Sequence, residues 1–403
     1  MRSSHRFTPD DRAAQTWQYL PFDVPAGIGA FTVTIFLDDP AAVIDLGCQG
    51  PHGFRGWSGG ARQQYCITDE AATPGYLPGV QAGSWQVVLG LHRVPPTGVT
   101  VTLDLSLDGS PERAVGPAVP LPERPPGPDL PGVDGMQWLA GDLHCHTVHS
   151  DGADSIDQVA ALAVAAGLDF LAVTDHNTVS HHPYLSAVSA RSGAQLIPGQ
   201  EVTTWQGHAN AFGDIGWIDF REPADDWIAA VDARGGLLSV NHPLSGDCAW
   251  RYDGQLRPQL LELWHSSWFD RTWGAPLSYL HAFAPDAAPI GGADYHRAGS
   301  DALPGSPTTW VLADSGDVLG GLRAGRTAIS AGPGAPILLR VGEEFLALDA
   351  DGLLLATMDG RRTVLDGDRV TQPAWPGIAW LEDGATGIQA ICGQPINDPV
   401  ALV

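Results

Sequence analysis

The chain contains no lysine: all 21 of its basic residues are arginines. That absence excludes a lysine Schiff base, a P-loop lysine and a carbamylated lysine bridging two metals. Paired cysteines are missing too. Cys48, Cys66, Cys145, Cys248 and Cys392 are odd in number and scattered, with no C-x-x-C, which fits reduced thiols rather than a disulfide framework or a cysteine zinc site. No run of eighteen apolar residues occurs, so no transmembrane helix and no membrane partner are expected. The opening MRSSHRFTPDDRAAQ lacks the apolar stretch of a secretory leader, and a soluble, cytoplasmic protein is expected. Positive charge is scarce overall. A net charge of −25 disfavours a nucleic-acid polymer as a nonspecific partner, and an acid-rich solvated surface is its simplest cause.

What is present divides the chain into four stretches. Residues 1–115 read as short strands, FTVTIFL (31–37), AVIDLG (42–47), QYCIT (64–68), SWQVVLGL (84–91) and VTVTLDLSL (99–107). Turn-rich runs separate them, which predicts a β-sandwich accessory domain. Residues 116–135, GPAVPLPERPPGPDLPGVDG, are too proline-dense for a helix or central strand and predict a stiff linker. From 136 to 333 helical and fully apolar strand patterns alternate. SIDQVAALAVAAG (155–167) precedes LDFLAVTD, DDWIAAVDARGG (225–236) precedes LLSVN, and DVLGGLRAG (317–325) precedes RTAIS. This order predicts an α/β layer or barrel with parallel strands. Residues 334–403 return to short β-like segments and predict a small β-rich tail docked on another domain.

Eleven of the 14 histidines lie between residues 144 and 296, where even scatter would leave about five. They recur behind apolar strands. His144 and His146 follow MQWLAGDL, Asp175 and His176 end LDFLAVTDH, and Glu201 follows AQLIPGQ with His208 shortly after. His242 closes LLSVNH, His265 closes LLELWH, and Asp294 and His296 close PIGGADYH. The C-terminal ends of barrel strands are where such folds build active sites. An H-x-H pair on extended backbone turns both imidazoles to one face, able to grip one ion. Singly, each residue has a bland reading: a polar loop, a buried hydrogen-bonded histidine, a surface acid. Together, a mixed His/Asp/Glu set suits two or three divalent ions such as Mn, Fe or Zn.

DLHCHTVHSDG, TDHN, PGQEVTTWQGHANAFG, NHP and GGADYH resemble, in order, the motifs of the PHP (polymerase and histidinol phosphatase) superfamily. Within it the arrangement resembles the CehA/McbA type of metallohydrolase, and GFRGWSGGAR and ATPGYLPG resemble its N-terminal β part. The resemblance implies a distorted (β/α)7 barrel with up to three metals at its C-terminal rim. It implies His144, His146, Glu201 and Asp294 on the first ion, Glu201, His208 and His242 on the second, and Asp151, His176 and His296 on the third. Members differ over the third site, so Asp151, His176 and His296 are alternatively acid, base or substrate anchors.

The implied activity is hydrolysis of a small, phosphorylated ester by a hydroxide bridging two cations, with His176 or His296 protonating the leaving group. Arg297 is a candidate for a phosphate oxygen, its bland reading being a solvated arginine. His149 is expected to decorate its loop, and His265 is either a substrate wall or a packed histidine. Phosphoester hydrolysis is the leading expectation, with carboxylester or carbamate hydrolysis on the same metals as runner-up and Trp205, Trp264 and Trp268 as its apolar wall. A carbohydrate- or protein-binding module with a structural metal is more remote. GWSGG (56–60) fits the serine-hydrolase elbow, with Ser58 as nucleophile, but a strand-like run follows it where a helix is needed, so a glycine turn is expected.

Overall fold

The computed structural model describes residues 1–111, 119–252 and 257–393. Residues 112–118 and 394–403, which belong to the expected sandwich, linker and tail stretches, lie outside the described residues. The chain forms two compact units: Met1–Pro117 with His146–Ile156 and Asp175–Tyr184, and Ala118–Cys145 with Asp157–Thr174 and Leu185–Val403.

In the first unit lie β1 (Arg2–Phe7), α1 (Pro9–Ala14), β2 (Trp17–Val24), β3 (Ala30–Leu37), β4 (Val43–Gly50), β5 (Gly53–Gly59), β6 (Gln64–Thr68), β7 (Gly83–Arg93) and β8 (Val99–Ser106). They make two four-stranded antiparallel sheets, ordered β1-β8-β3-β6 and β2-β7-β4-β5. Period-2 patterning explains the packing: Phe31, Val33 and Ile35 of β3 and Val99, Val101, Leu103 and Leu105 of β8 all turn inward. They meet Phe22 and Trp85 of the other sheet, with Phe31 edge-on to Trp85 at 4.9 Å.

The second unit carries β9 (Gln137–Asp142), α2 (Ile156–Ala165), β10 (Phe170–Val173), α3 (His182–Ser192), β11 (Gln195–Thr204), β12 (Gly207–Phe212) and α4 (Ala224–Ala233), α2 and α3 each beginning in the first. It continues with β13 (Leu237–Val240), β14 (Leu260–His265), α5 (Ala275–Phe283), β15 (Ala288–Gly292), β16 (Thr308–Ala313), α6 (Val318–Arg323) and β17 (Thr327–Ser330). α2 buries Val159, Ala160, Ala163 and Val164 and stops at Gly167, whose φ of 78° supplies the left-handed cap. β10, β13, β14, β15, β16 and β17 are buried along their whole lengths, as strands covered on both faces must be.

The expected layer or barrel of parallel strands is only partly what the ladders draw. One thirteen-stranded sheet runs β15-β14-β13-β12-β11-β10-β9-β16-β17 and then through four strands of the tail. β12 is antiparallel to both β11 and β13, and β16 is antiparallel to β9. Only Trp205 and Gln206 separate β11 from β12, too short a link for a crossover helix, so a hairpin forms. β15, last in the ladder order, is tied to β16 by one side chain. The Thr309 hydroxyl accepts from the Gly291 N–H at 2.8 Å and donates to its carbonyl at 2.9 Å.

The tail supplies β18 (Ile337–Val341), β19 (Glu344–Leu348), β20 (Leu354–Thr357), β21 (Arg362–Val364), β22 (Arg369–Pro373), β23 (Ala379–Glu382) and β24 (Ile388–Cys392). β18, β19 and β22 form a small sheet, while β24 pairs with β17 and brings β23, β20 and β21 into the large one. No helix among the described residues is long and apolar enough to cross a membrane.

Candidate metal centre

In the second unit, β9 ends in Asp142, whose buried carboxylate accepts the backbone N–H groups of His144 (3.0 Å), Ala293 (3.2 Å) and Gly305 (2.7 Å). Burial pushes its carboxyl up to about 7 against these donors. Asp142 thereby sets the start of the segment bearing His144 beside the one bearing Asp294. The two run together, with the Asp294 N–H bonded to the His144 carbonyl at 3.0 Å and Cys145 bridged to Tyr295.

Three carboxylates surround the His144 ring. Nδ1 lies 2.8 Å from Glu262 Oε1, and Nε2 lies 3.2 Å from Glu201 Oε1 and 3.1 Å from Asp294 Oδ1. A carboxylate only accepts, so Nδ1 carries a proton and Nε2 faces the other two acids. Glu201 Oε1 is also 3.2 Å from His208 Nδ1 on β12 and 3.4 Å from His242 Nε2 beyond β13, and it accepts from Asn241 Nδ2 at 3.0 Å. Glu262, central in β14, holds the His242 N–H at 2.8 Å with its second oxygen. The ligand atoms of His144, His242, Glu262 and His265 all lie within 4.8 Å of one another.

His265 closes β14 with Nε2 3.2 Å from Asp294 Oδ2. Its Nδ1 accepts from the Ser267 N–H at 3.1 Å, so in the neutral ring Nε2 bears the proton and donates to Asp294. His296 directs Nδ1 to the Asp294 carbonyl at 2.8 Å. Asp301 accepts the backbone N–H groups of His296 and Arg297 at 2.9 and 2.6 Å, while the Arg297 side chain is exposed. His242 and Asp294 both hold left-handed backbone, φ 27° and 54°, a conformation that costs a non-glycine residue on the order of 1 kcal/mol or more. Such outliers gather where side-chain placement outweighs backbone comfort.

In the first unit, two segments pack against each other. Asp175 is a hub rather than a ligand. Its buried carboxylate accepts from the Thr147 N–H (2.8 Å) and from the Thr147 and Ser150 hydroxyls (both 2.7 Å). This knot presents His146, Asp151 and His176: the two rings lie 4.3 Å apart, and Asp151 Oδ1 is 3.6 Å from His176 Nε2. Gly152 has no room for a side chain, since a Cβ would fall 2.6 Å from the His146 carbonyl carbon.

The residues fit divalent cations. The ion-pair partners described for Glu201 and Asp294 are imidazoles, and the chain has no lysine to neutralise them. Burial works against a charged His144, yet Asp294, Glu201 and Glu262 outweigh it and hold its pKa well above the ordinary histidine range. His242 shifts upward in the same way. Nδ1 of His242 is buried with no hydrogen-bond partner among the described residues. Acids this deep demand positive charge, which protons or metal ions can supply.

Several expectations change. Ser58 lies in β5, not in a glycine turn, and its buried hydroxyl bonds Tyr76 Oη (2.9 Å) and the Leu46 carbonyl (3.3 Å). His149 is fully buried, with Nδ1 2.7 Å from Ser180 Oγ, rather than a loop decoration. Trp264 is buried and half-buried Trp268 packs on it, whereas Trp205 is exposed. Glu262 and Asp142 are additions. The signal for Glu262 was an acid inside the otherwise apolar LLELW; Asp142 stood two residues before the HCH segment.

Residues 142–242 match the model of the PHP domain. A 5'-3' exoribonuclease of Haemophilus influenzae is 37% identical over 67 residues, 16% of this chain and 24% of that protein. The 5'-3' exoribonuclease Rnm of Salmonella typhimurium is 36% identical over 106 residues, 24% of this chain and 36% of its own. A phosphoribosyl 1,2-cyclic phosphate 1,2-diphosphodiesterase of Eggerthella lenta is 36% identical over 64 residues, 16% and 24%. The chain thus spans about a quarter to a third of the length of these relatives. Among solved structures, a two-domain protein from Bacteroides vulgatus containing a predicted PHP-like metal-dependent phosphoesterase aligns with TM-score 0.41 and 17% identity, covering 69% of this chain and 92% of that one.

Proposed function

This chain belongs to the PHP superfamily, and from that premise we propose that it is a metal-dependent phosphoesterase. The observation that carries the reading is the convergence of three imidazoles, from His144, His208 and His242, within 3.2–3.4 Å of one oxygen of Glu201. We assign His144, His146, Glu201 and Asp294 to one ion, Glu201, His208 and His242 to a second, and Asp151, His176 and His296 to a third or to proton transfer. We also assign the chain to the CehA/McbA type, on its N-terminal sandwich and its motif order, with β15 and β16 closing a distorted barrel through Thr309.

Bound there, Mn, Fe or Zn would lower the pKa of an attacking water and neutralise phosphoryl charge. The chain's own residues do the rest. Glu262 holds the Nδ1 proton of His144 and so keeps Nε2 turned toward Glu201 and Asp294. His296 donates its Nδ1–H to the Asp294 carbonyl, which leaves Nε2 as the nitrogen that would take up a proton and, from the doubly protonated ring, pass it to the leaving oxygen. Asp151 Oδ1 lies 3.6 Å from His176 Nε2, which makes His176 a second candidate for moving a proton. Arg297 follows His296 directly and its side chain is exposed, and we assign its guanidinium to a phosphoryl oxygen on the match between guanidinium and phosphate geometry.

The two exoribonucleases and the cyclic phosphodiesterase are by name phosphoester-cleaving enzymes, which favours phosphoester over carboxylester or carbamate hydrolysis. Two of those relatives act on RNA by name, so the acidic balance does not remove a short RNA from the substrates to be tried. A kcat/KM comparison of p-nitrophenyl phosphate, a bis-aryl phosphodiester, a short RNA, an aryl acetate and an aryl carbamate, repeated with Arg297→Ala, tests the assignment. Phosphoester turnover should lead and the arginine change should injure it selectively. Faster cleavage of the neutral esters, untouched by Arg297→Ala, would reverse it.

A further inference from the structure

The N-terminal sandwich has the look of an accessory domain, but its contacts say otherwise. Gly75, in the link between β6 and β7, donates its N–H to Ser180 Oγ at 3.0 Å. Its carbonyl accepts the Thr178 hydroxyl at 2.9 Å and the Trp57 N–H at 3.0 Å. Ser180 Oγ is in turn 2.7 Å from Nδ1 of buried His149. From the end of the link between β5 and β6, Arg62 donates one guanidinium nitrogen to the Ser150 carbonyl at 2.7 Å and the other to the Val148 carbonyl. All of these residues belong to the first compact unit.

We propose that Gly75 and Arg62 are positioning residues for Asp151 and His176, the third-ion ligands carried on these two segments, which gives the sandwich a part in building the metal centre. The inference rests on the ligand roles proposed above. Its logic is steric and electrostatic. The segment 146–151 is gripped at two successive turns: by Arg62 at the carbonyls of residues 148 and 150, and by the Asp175 knot at Thr147 and Ser150. Segment 175–181 is gripped by Gly75 through Thr178 and Ser180. Asp151 and His176, one from each segment, lie 3.6 Å apart, so loosening either grip spreads the pair. A misplacement of 1 Å is enough to spoil a constellation of this kind.

Gly75 also shows why the grip is exacting. Its φ is 100°, and a Cβ there would sit 2.7 Å from the Trp57 carbonyl oxygen and 2.9 Å from that of His149. No side chain fits without moving the segment that carries Asp151. Arg62 is only partly exposed and takes two carbonyls at once with its planar fork, which a lysine could not reproduce.

The experiment uses the full chain. Metal content of wild type, Arg62→Ala, Gly75→Ala and His176→Ala is measured by inductively coupled plasma mass spectrometry after dialysis from excess Mn²⁺, with thermal unfolding recorded alongside. Arg62→Ala, a truncation at the surface, carries the decision should Gly75→Ala fail to fold. The expected result is one equivalent fewer, or at least a tenfold weaker last equivalent, in both positioning variants and in His176→Ala, with the ions of the Glu201 group retained. Wild-type metal content in Arg62→Ala and Gly75→Ala, with loss in His176→Ala, would overturn the positioning role and leave the ligand assignment standing. Wild-type content in all three would show that the ligand assignment itself is wrong, and the inference falls with it.

Discussion

His144 and Glu262 meet through a 2.8 Å contact between two fully buried side chains, and that contact decides which nitrogen of His144 is available to a ligand. Glu262→Ala should therefore cost about 10- to 100-fold in metal affinity, the usual effect of losing a carboxylate behind a metal-binding histidine. Gly292→Ala should do the same without removing the carboxylate, because a Cβ there would collide with Glu262 Oε1 and lie 2.5 Å from His144 Cβ. Competition with a chromophoric chelator measures both. Unchanged affinity in the two variants would remove Glu262 from the site.

Glu201→Gln keeps the volume of a fully buried side chain and removes the charge that three imidazoles face. Hydrolysis should fall by several orders of magnitude, and one metal should be lost before the others. Near-UV circular dichroism checks that the fold persists. Normal turnover would show that Glu201 holds no ion.

Ser58→Ala should leave hydrolysis intact. The hydroxyl lies inside the sandwich between Tyr76 and Leu46, so the change removes buried hydrogen bonds and should lower stability by about 1 kcal/mol. Urea unfolding reads the loss. Abolished activity in a folded variant would revive the serine nucleophile.

None of the five cysteines is in a disulfide, and all but half-buried Cys248 are buried. Burial pushes the Cys48 and Cys392 thiols up to about 12, far from the thiolate form that reacts. Ellman's reagent should find about one fast thiol in the native protein and five after unfolding in denaturant. Several fast thiols in the native state would contradict this packing.

Legibility in the sequence followed chemical contrast. QYCIT, a short strand-forming run bounded by turn residues, coincides with β6, and the helix read over 155–167 holds α2 at Ile156–Ala165. β5 escaped because GFRGWSG is glycine-dense. Gly56, at φ 148°, lets the backbone approach Tyr76, and that need for closeness reads locally as a turn. The antiparallel β12 escaped because a two-residue link and a crossover helix are distinguished by where a strand ends, and Thr204–Gly207 offers little contrast. Ligand-type residues stood out because imidazoles and acids behind apolar strands have few other uses. Glu262 and Asp142 did not, because their partners are far away in the chain: His144 lies 118 residues from Glu262, and Gly305 163 from Asp142. Periodicity carries no information at that range.

The most direct measurement follows one sample of the 403-residue chain through metal removal and return. Metal content and p-nitrophenyl phosphate or bis-aryl phosphodiester hydrolysis are recorded as purified, after exhaustive chelation, and after Mn²⁺, Fe²⁺ or Zn²⁺ is restored. Two to three equivalents at the start, loss of hydrolysis with the metal, and recovery in step with its return are the predicted result. Phosphoester hydrolysis that continues unchanged in metal-free protein would contradict the account.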